Sequence, residues 1–136
     1  MKIKLLAVVM IYVLLLSACG TSAKKNNLEN DSKKITAEEA YDRMNSGDEI
    51  TILDVRTQEE YDTVHIPGAI LIPNEEIGDT KPDQLPDLDA EILVYCRSGN
   101  RSAQAAKKLV SMGYTNIYDF GGINDWNYET ESGNPR

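Results

Sequence analysis

The chain has 136 residues and a formal net charge of −8, with 22 Asp and Glu residues against 14 Lys and Arg residues. This length suits one domain with a modest hydrophobic core. The acidic balance argues against binding to nucleic acid, and it also argues against attraction to anionic lipid through basic surface residues.

The first 18 residues have the pattern of a secretory signal. Lys2 and Lys4 give a basic start, and residues 5–16 form an apolar stretch shorter than the ~20 residues that span a membrane. The stretch runs into Leu-Ser-Ala-Cys-Gly, which resembles a bacterial lipobox. We therefore expect a lipoprotein signal peptide over residues 1–18 and lipid attachment at Cys19. The alternative is an ordinary signal peptide with a cysteine near its cleavage site by chance.

Residues 19–34 are rich in Lys, Asn and Ser and poor in large apolar residues, which predicts a flexible, lipidated tether. Acyl chains would hold the protein on the extracytoplasmic side of a bacterial cell membrane. A folded domain is predicted over residues 35–130 and a disordered tail over residues 131–136. Of the two cysteines, Cys96 would then be the free thiol, and a disulfide with Cys19 is the alternative.

Two capping boxes mark predicted helix starts. Thr36 with Glu39 opens a helix that ends near residue 45, and Thr57 with Glu60 opens a short helix over residues 59–63. In each box the hydroxyl and the carboxylate satisfy N–H groups that the first turn leaves unpaired.

The rest of the domain alternates strands with helices. Strands are predicted at residues 50–55, 69–72, 92–95 and 117–120. A loop with short helical turns is expected over residues 74–89, where Gly and Pro are frequent. The apolar spacing predicts a helix over residues 103–112 that ends at Gly113, and a further short helix is expected around 123–128. This order indicates an α/β fold with a mainly parallel central sheet and helices on both faces.

The segment between the third predicted strand and the next helix carries the chemistry. It consists of Cys96, Arg97, Ser98, Gly99, Asn100, Arg101 and Ser102. A polar loop at a helix N-terminus directs several N–H groups towards one point, and the helix macrodipole adds partial positive charge there. A thiol at that point ionises more readily than a free thiol, whose pKa is about 8.5. The segment therefore predicts a thiolate nucleophile, Cys96, in a pocket for a small anion.

This loop resembles the active-site loop of the rhodanese-like sulfurtransferases, and three further segments match that family in the same order. They are Leu53-Asp54-Val55-Arg56, Glu60-Tyr61 followed by His65-Ile66-Pro67-Gly68-Ala69, and Phe120-Gly121-Gly122-Ile123 with Trp126. The resemblance extends over about residues 36–129. It departs from the family at Val64, where glycine usually precedes the histidine. It implies the rhodanese-like three-layer fold.

The resemblance also implies an activity. The Cys96 thiolate would attack the outer sulfur of a small anionic donor such as thiosulfate, and a thiol or cyanide-like acceptor would then collect sulfur from the Cys96 persulfide. The expected donor-binding residues are Arg97, Ser98, Gly99, Asn100 and Arg101. Arg97 could instead face solvent, and Arg101 could pair with a nearby carboxylate. No cofactor and no metal are expected, and we expect a monomer.

Other polar residues near the motifs are interpreted as structural. Asp54 ends a predicted strand, and Arg56 is expected to pair with Glu59 or Glu60. The histidine of the chain, His65, precedes a Pro-Gly turn, so a general-base role is disfavoured. Trp126 is interpreted as a core or lid residue.

Two alternative functions stay open. One is a noncatalytic rhodanese-like module that binds a partner or senses redox state. The other is a cysteine phosphatase or arsenate reductase, whose loops have the spacing C-x5-R, whereas Cys96 and Arg101 have the spacing C-x4-R.

Overall fold

The computed structural model describes residues 31–133. The predicted signal peptide, Cys19 and most of the predicted tether therefore lie outside the described residues, as do residues 134–136. Within the described range, no helix combines the length and the apolar character that a membrane crossing requires.

One parallel sheet forms the centre of the described domain. Its strands are β1 (Lys33–Lys34), β2 (Ile50–Asp54), β3 (Ile70–Leu71), β4 (Glu91–Cys96) and β5 (Asn116–Gly122). Their order across the sheet is β1-β5-β4-β2-β3, and every pairing is parallel. The carboxyl ends of β2, β4 and β5 therefore meet at one edge, which is where parallel sheets place their binding sites.

Helices cover both faces of the sheet. They are α1 (Ala37–Met44), α2 (Gln58–Thr63) and α3 (Asn100–Ser111). Ala40 of α1 and Tyr61 of α2 pack in one buried cluster with Leu93, whereas α3 packs in a second cluster with Ile92 and Val94. Successive residues of β4 thus point to opposite faces, as the pleat requires. The predicted three-layer α/β fold is confirmed.

Both predicted capping boxes are present. The Thr36 hydroxyl accepts a hydrogen bond from the Glu39 N–H, and the Glu39 carboxylate accepts one from the Thr36 N–H. Thr57 and Glu60 make the same reciprocal contacts at the start of α2.

Two helix boundaries differ from the prediction. α3 begins at Asn100 rather than at residue 103, because its first turn is polar and carries no apolar periodicity. The segment after β5 forms a short 3-10 helix, Ile123–Asp125, instead of a helix that reaches residue 128.

The domain also extends further at both ends than predicted. Lys33 and Lys34, placed in the tether, pair with Tyr118 and Asp119 of β5. Glu131, placed in the tail, forms an antiparallel bridge with His65. Both extensions depend on main-chain hydrogen bonds, which polar residues make as readily as apolar ones, so composition does not reveal them.

Candidate active site

Cys96 is the last residue of β4 and lies at the carboxyl edge of the sheet. Val94 pairs with Asp119, but Cys96 pairs with Gly122, so β5 contains one extra residue between these two pairs. Such a bulge bends a strand and re-aims its side chains. The Cys96 side chain is buried with 1% exposure, at the end of the core cluster that packs against α3.

Several donors converge on the Cys96 sulfur. The Gly99 N–H donates to Sγ at 3.0 Å. The N–H groups of Ser98 and Ser102 and the Ser102 hydroxyl also interact with the sulfur. Ser102 is not among the predicted donor-binding residues; it lies in the first turn of α3 and is fully buried. The sequence does contain a signal for this contact with the sulfur, because Ser102 is a hydroxyl residue directly after the cysteine loop, where the next helix starts.

These donors decide the ionisation of the thiol. Burial of Cys96 raises the pKa of its thiol, whereas the hydrogen bonds from Ser102, Gly99 and Ser98 lower it. The hydrogen bonds outweigh the burial, and the pKa lies below its ordinary value. Donors at a helix N-terminus stabilise a thiolate more than a thiol, which is the environment of reactive cysteines.

Gly99 makes this convergence possible. It is the N-cap of α3 and has a φ of +108°, in the left-handed region. A residue with a Cβ is strained there, so glycine allows the loop to turn its N–H groups inwards.

The glycine pair Gly121-Gly122 lies directly beneath the loop. A Cβ on Gly122 would overlap the main chain of Arg97 and Ser98. The Arg97 carbonyl oxygen also accepts a hydrogen bond from the Asn124 N–H at 3.2 Å. The loop after β4 therefore rests on the end of β5, and this close approach requires glycine at position 122.

Arg101 is held by a carboxylate of α2. Its Nη1 and Nη2 donate to the two Glu60 oxygens at 2.8 and 2.9 Å. The same carboxylate caps α2 through Thr57. The Arg101 hydrogen bonds lower the pKa of Glu60 to about 2. The sequence offers two contacts for Arg101, one with the sulfur donor and one with a nearby carboxylate. The structure contains the second, an ion pair with Glu60.

The other loop side chains are more exposed. Arg97, Ser98 and Asn100 all face solvent. Arg97 lines an open cavity of about 350 Å³ together with Glu59, Thr63 and Asn124. Among residues 31–133, no carboxylate forms an ion pair with the Arg97 guanidinium, so this charge is available to an anion in solution.

The expected pairing of Arg56 with Glu59 or Glu60 is wrong. Arg56 instead turns back onto Asp54, and its Nη2 lies 2.7 Å from Asp54 Oδ2 and 2.6 Å from the Val64 carbonyl oxygen. Both side chains are buried, with exposures of 3% and 0%. A buried guanidinium needs a charged partner that is also buried, and the half-buried or exposed glutamates of α2 do not meet that need.

His65 and Trp126 are placed within the fold rather than in the loop. His65 stacks on Tyr61, its Nδ1 is 2.8 Å from the Tyr61 carbonyl oxygen, and its Nε2 is 3.1 Å from Glu131. Trp126 packs against Phe120. Within residues 31–133, no three His, Cys, Asp or Glu side chains form a group that could hold a metal ion.

The family of the chain follows from comparison with known proteins. The family model of the rhodanese-like domain, which describes the sequences of that family, matches residues 36–129 of this chain. The chain belongs to the rhodanese-like domain family. This match includes the loop after β4, both glycines beneath it and the Arg101–Glu60 pair.

Individual relatives agree with this assignment. Thiosulfate sulfurtransferase PspE of Escherichia coli is 40% identical over 73 residues, which cover 54% of this chain and 70% of that protein. A solved structure described as rhodanese with anions from E. coli is 35% identical, has a TM-score of 0.58 and corresponds to 62% of this chain and 100% of its own.

A larger relative contains the same domain as one part. Adenylyltransferase and sulfurtransferase UBA4 of Candida albicans is 40% identical over 92 residues, which cover 62% of this chain and 21% of that protein. The relatives of this chain thus include a thiosulfate sulfurtransferase and a longer protein whose name gives two activities.

Proposed function

We propose that this chain is a sulfurtransferase that carries sulfane sulfur as a persulfide on Cys96. The observation that carries the proposal is the Cys96 sulfur at the centre of the loop, where the Gly99 N–H approaches to 3.0 Å and the thiol pKa is lowered. The similarity to thiosulfate sulfurtransferases supports this choice of reaction.

In the first half-reaction, the Cys96 thiolate attacks the outer sulfur of thiosulfate. A new S–S bond forms at Cys96, the S–S bond of thiosulfate breaks, and its electron pair leaves with sulfite. The N–H groups around Sγ stabilise the anionic persulfide as they stabilise the thiolate. Because the thiol is already prone to ionise, no general base is needed to activate the nucleophile.

In the second half-reaction, a thiophilic acceptor attacks the outer sulfur of the persulfide. With cyanide the products are thiocyanate and the Cys96 thiolate, so the enzyme returns to its starting state. The described residues contain no second cysteine, and Cys19 is proposed to carry a lipid, so we assign the acceptor role to an external molecule. The two separated half-reactions predict ping-pong kinetics.

Arg97 is the residue proposed to meet the donor. Its exposed guanidinium has no ion-pair partner in the described domain, and thiosulfate is a dianion. Ser98 and Asn100 belong to the same loop and are also exposed. Arg101 has a different role, because its guanidinium N–H groups already donate to the Glu60 carboxylate. We assign Arg101 to holding the loop in place.

The deciding assay is thiocyanate formation from thiosulfate and cyanide by the full-length protein and by Cys96→Ala. Turnover by the wild type that the variant lacks supports the proposal. The matched control is Cys19→Ala, which removes the other thiol and should keep turnover. If the folded wild type forms no thiocyanate and gains no mass of one sulfur atom with thiosulfate or with polysulfide, the proposal is wrong and the binding or sensing function takes its place.

The same proposal includes the location of the protein. A lipid on Cys19 would attach a monomeric domain to the extracytoplasmic face of a bacterial membrane. Detergent partitioning of the full-length protein tests this point. We expect the wild type in the detergent phase and Cys19→Ala in the aqueous phase, and an aqueous wild type would contradict the lipid anchor.

A further inference from the structure

Asp119 of β5 is a buried carboxylate that the proposed reaction does not use. Its side chain is 2% exposed. Its Oδ1 accepts a hydrogen bond from the Gly121 N–H at 3.0 Å. Its Oδ2 lies 3.9 Å from Lys34 Nζ, whose side chain is 79% exposed. A buried carboxylate is unfavourable unless hydrogen bonds compensate for the lost water. The hydrogen bond from Gly121 is shorter than the contact with Lys34, so we regard Gly121 as the main partner of the Asp119 carboxylate.

Gly121 connects this carboxylate to the donors around Cys96. It has a φ of +85°, in the left-handed region. Its carbonyl oxygen accepts a hydrogen bond from the Ser102 hydroxyl at 3.2 Å. The hydroxyl also donates to the Gly99 carbonyl oxygen at 3.1 Å, so the main-chain N–H of Ser102 is the donor that this chain of contacts directs at the Cys96 sulfur. A chain of contacts therefore runs from Asp119 through one peptide unit to the nucleophile.

We propose that Asp119 is a positioning residue for the nucleophile. Its carboxylate holds the Gly121 peptide, and the Gly121 carbonyl holds the Ser102 hydroxyl, which keeps the first turn of α3 where its main-chain N–H groups can donate to Cys96 Sγ. The inference rests on the proposed function, because it assigns a purpose to the geometry around a reactive Cys96.

Positioning and direct charge effects change the Cys96 pKa in opposite directions. A nearby carboxylate disfavours a thiolate, so removal of its charge alone would lower the pKa of Cys96. Loss of positioning would weaken the hydrogen bonds to Sγ and raise that pKa. The cations on the loop and on α3, Arg97 and Arg101, are unchanged in the variants below and so do not affect the comparison.

The test is the pH profile of Cys96 alkylation by iodoacetamide in the full-length protein, read on the Cys96 peptide by mass spectrometry. We expect Asp119→Ala to shift the profile to higher pH and to slow labelling at neutral pH about 3- to 10-fold, the effect of a weakened hydrogen bond to a charged group. Asp119→Asn keeps an oxygen acceptor for Gly121 and loses only the charge, so its profile should match that of the wild type or shift to lower pH. Lys34→Ala removes the distant ion pair alone and should also resemble it.

Three results would overturn the inference: an unchanged profile in Asp119→Ala, a shift of the Asp119→Ala profile to lower pH, or equal shifts in Asp119→Ala and Asp119→Asn. If Asp119→Ala does not fold, Asp119→Val takes its place, because valine suits a strand and also lacks an acceptor. Alkylation requires no sulfur donor, so this test is independent of whether the wild type transfers sulfur.

Discussion

Arg101 and Glu60 form a two-point ion pair that joins the loop after β4 to the helix after β2. The guanidinium nitrogens lie 2.8 and 2.9 Å from the two carboxylate oxygens. Glu60 is also the capping carboxylate of α2. One side chain therefore fixes the start of α2 and the end of the cysteine loop, so a change in Glu60 acts on both.

The substitution Glu60→Gln separates these two roles. Glutamine preserves the capping box but loses the charge that Arg101 needs. We expect the free energy of unfolding to fall by about 1 kcal/mol at neutral pH, since the pair is partly exposed. Urea unfolding measures this change. Glu60→Ala, which removes the cap as well, should lose about 1 kcal/mol more.

The stabilisation from this pair should disappear in acid. The Arg101 hydrogen bonds place the folded-state pKa of Glu60 at about 2, below the unfolded value of about 4.3. A depressed folded pKa contributes stability that is complete above the unfolded pKa and is lost as pH falls towards the folded pKa. The stability difference between the wild type and Glu60→Gln should therefore shrink between these two pH values. A difference that stays constant across that window would contradict the assignment.

Ser102 is expected to control the reactivity of Cys96. Ser102→Ala removes the hydroxyl that helps to lower the pKa of Cys96 and that binds the Gly99 and Gly121 carbonyl oxygens. The pKa of Cys96 should therefore rise, and alkylation at neutral pH should slow about 5- to 10-fold. Ser102→Thr keeps the hydroxyl and serves as the control. Stopped-flow or mass-spectrometric labelling across pH gives the profile. Equal profiles for the alanine variant and the wild type would show that the main-chain N–H groups suffice.

Local patterns predicted much of the fold. Apolar runs located β2 and β4, and the Thr-x-x-Glu spacing located the starts of α1 and α2, because each of these signals depends on near neighbours in sequence. The cysteine loop was equally visible, since a strand, a polar turn and a helix follow one another directly. The short pairing of Lys33 with β5 escaped prediction because it depends on the exposed edge of a strand far along the chain.

The partners of charged side chains were harder to predict. Arg56 has Asp54, Glu59 and Glu60 within four residues, and only burial at the end of β2 selects Asp54. Similarly, nothing local indicates that the Gly121 carbonyl would meet Ser102. These contacts depend on how β5 approaches α3, which the sequence pattern does not contain.

Gly122 should tolerate no side chain. In Gly122→Ala the added Cβ would overlap the main chain of Arg97, which flexible side-chain movement cannot relieve. We expect a loss of about 2 kcal/mol or more of unfolding free energy, or a displaced loop with little sulfur transfer. Gly78→Ala is the matched control, because a Cβ there meets nothing within 4 Å. Equal stability and activity in the two variants would disprove the close approach of β5 to the loop.

Among these substitutions, those that break the buried pair of Asp54 and Arg56 should cause the largest loss of unfolding free energy. Arg56→Met leaves the Asp54 carboxylate buried without its partner, and we expect a loss of about 3–5 kcal/mol in urea unfolding. The double variant Asp54→Asn with Arg56→Met removes both charges, so its loss should be smaller than the sum of the two single losses. Because neither side chain belongs to the loop, surviving folded protein should keep a Cys96 alkylation profile close to that of the wild type. Additive losses would show that the two side chains act independently.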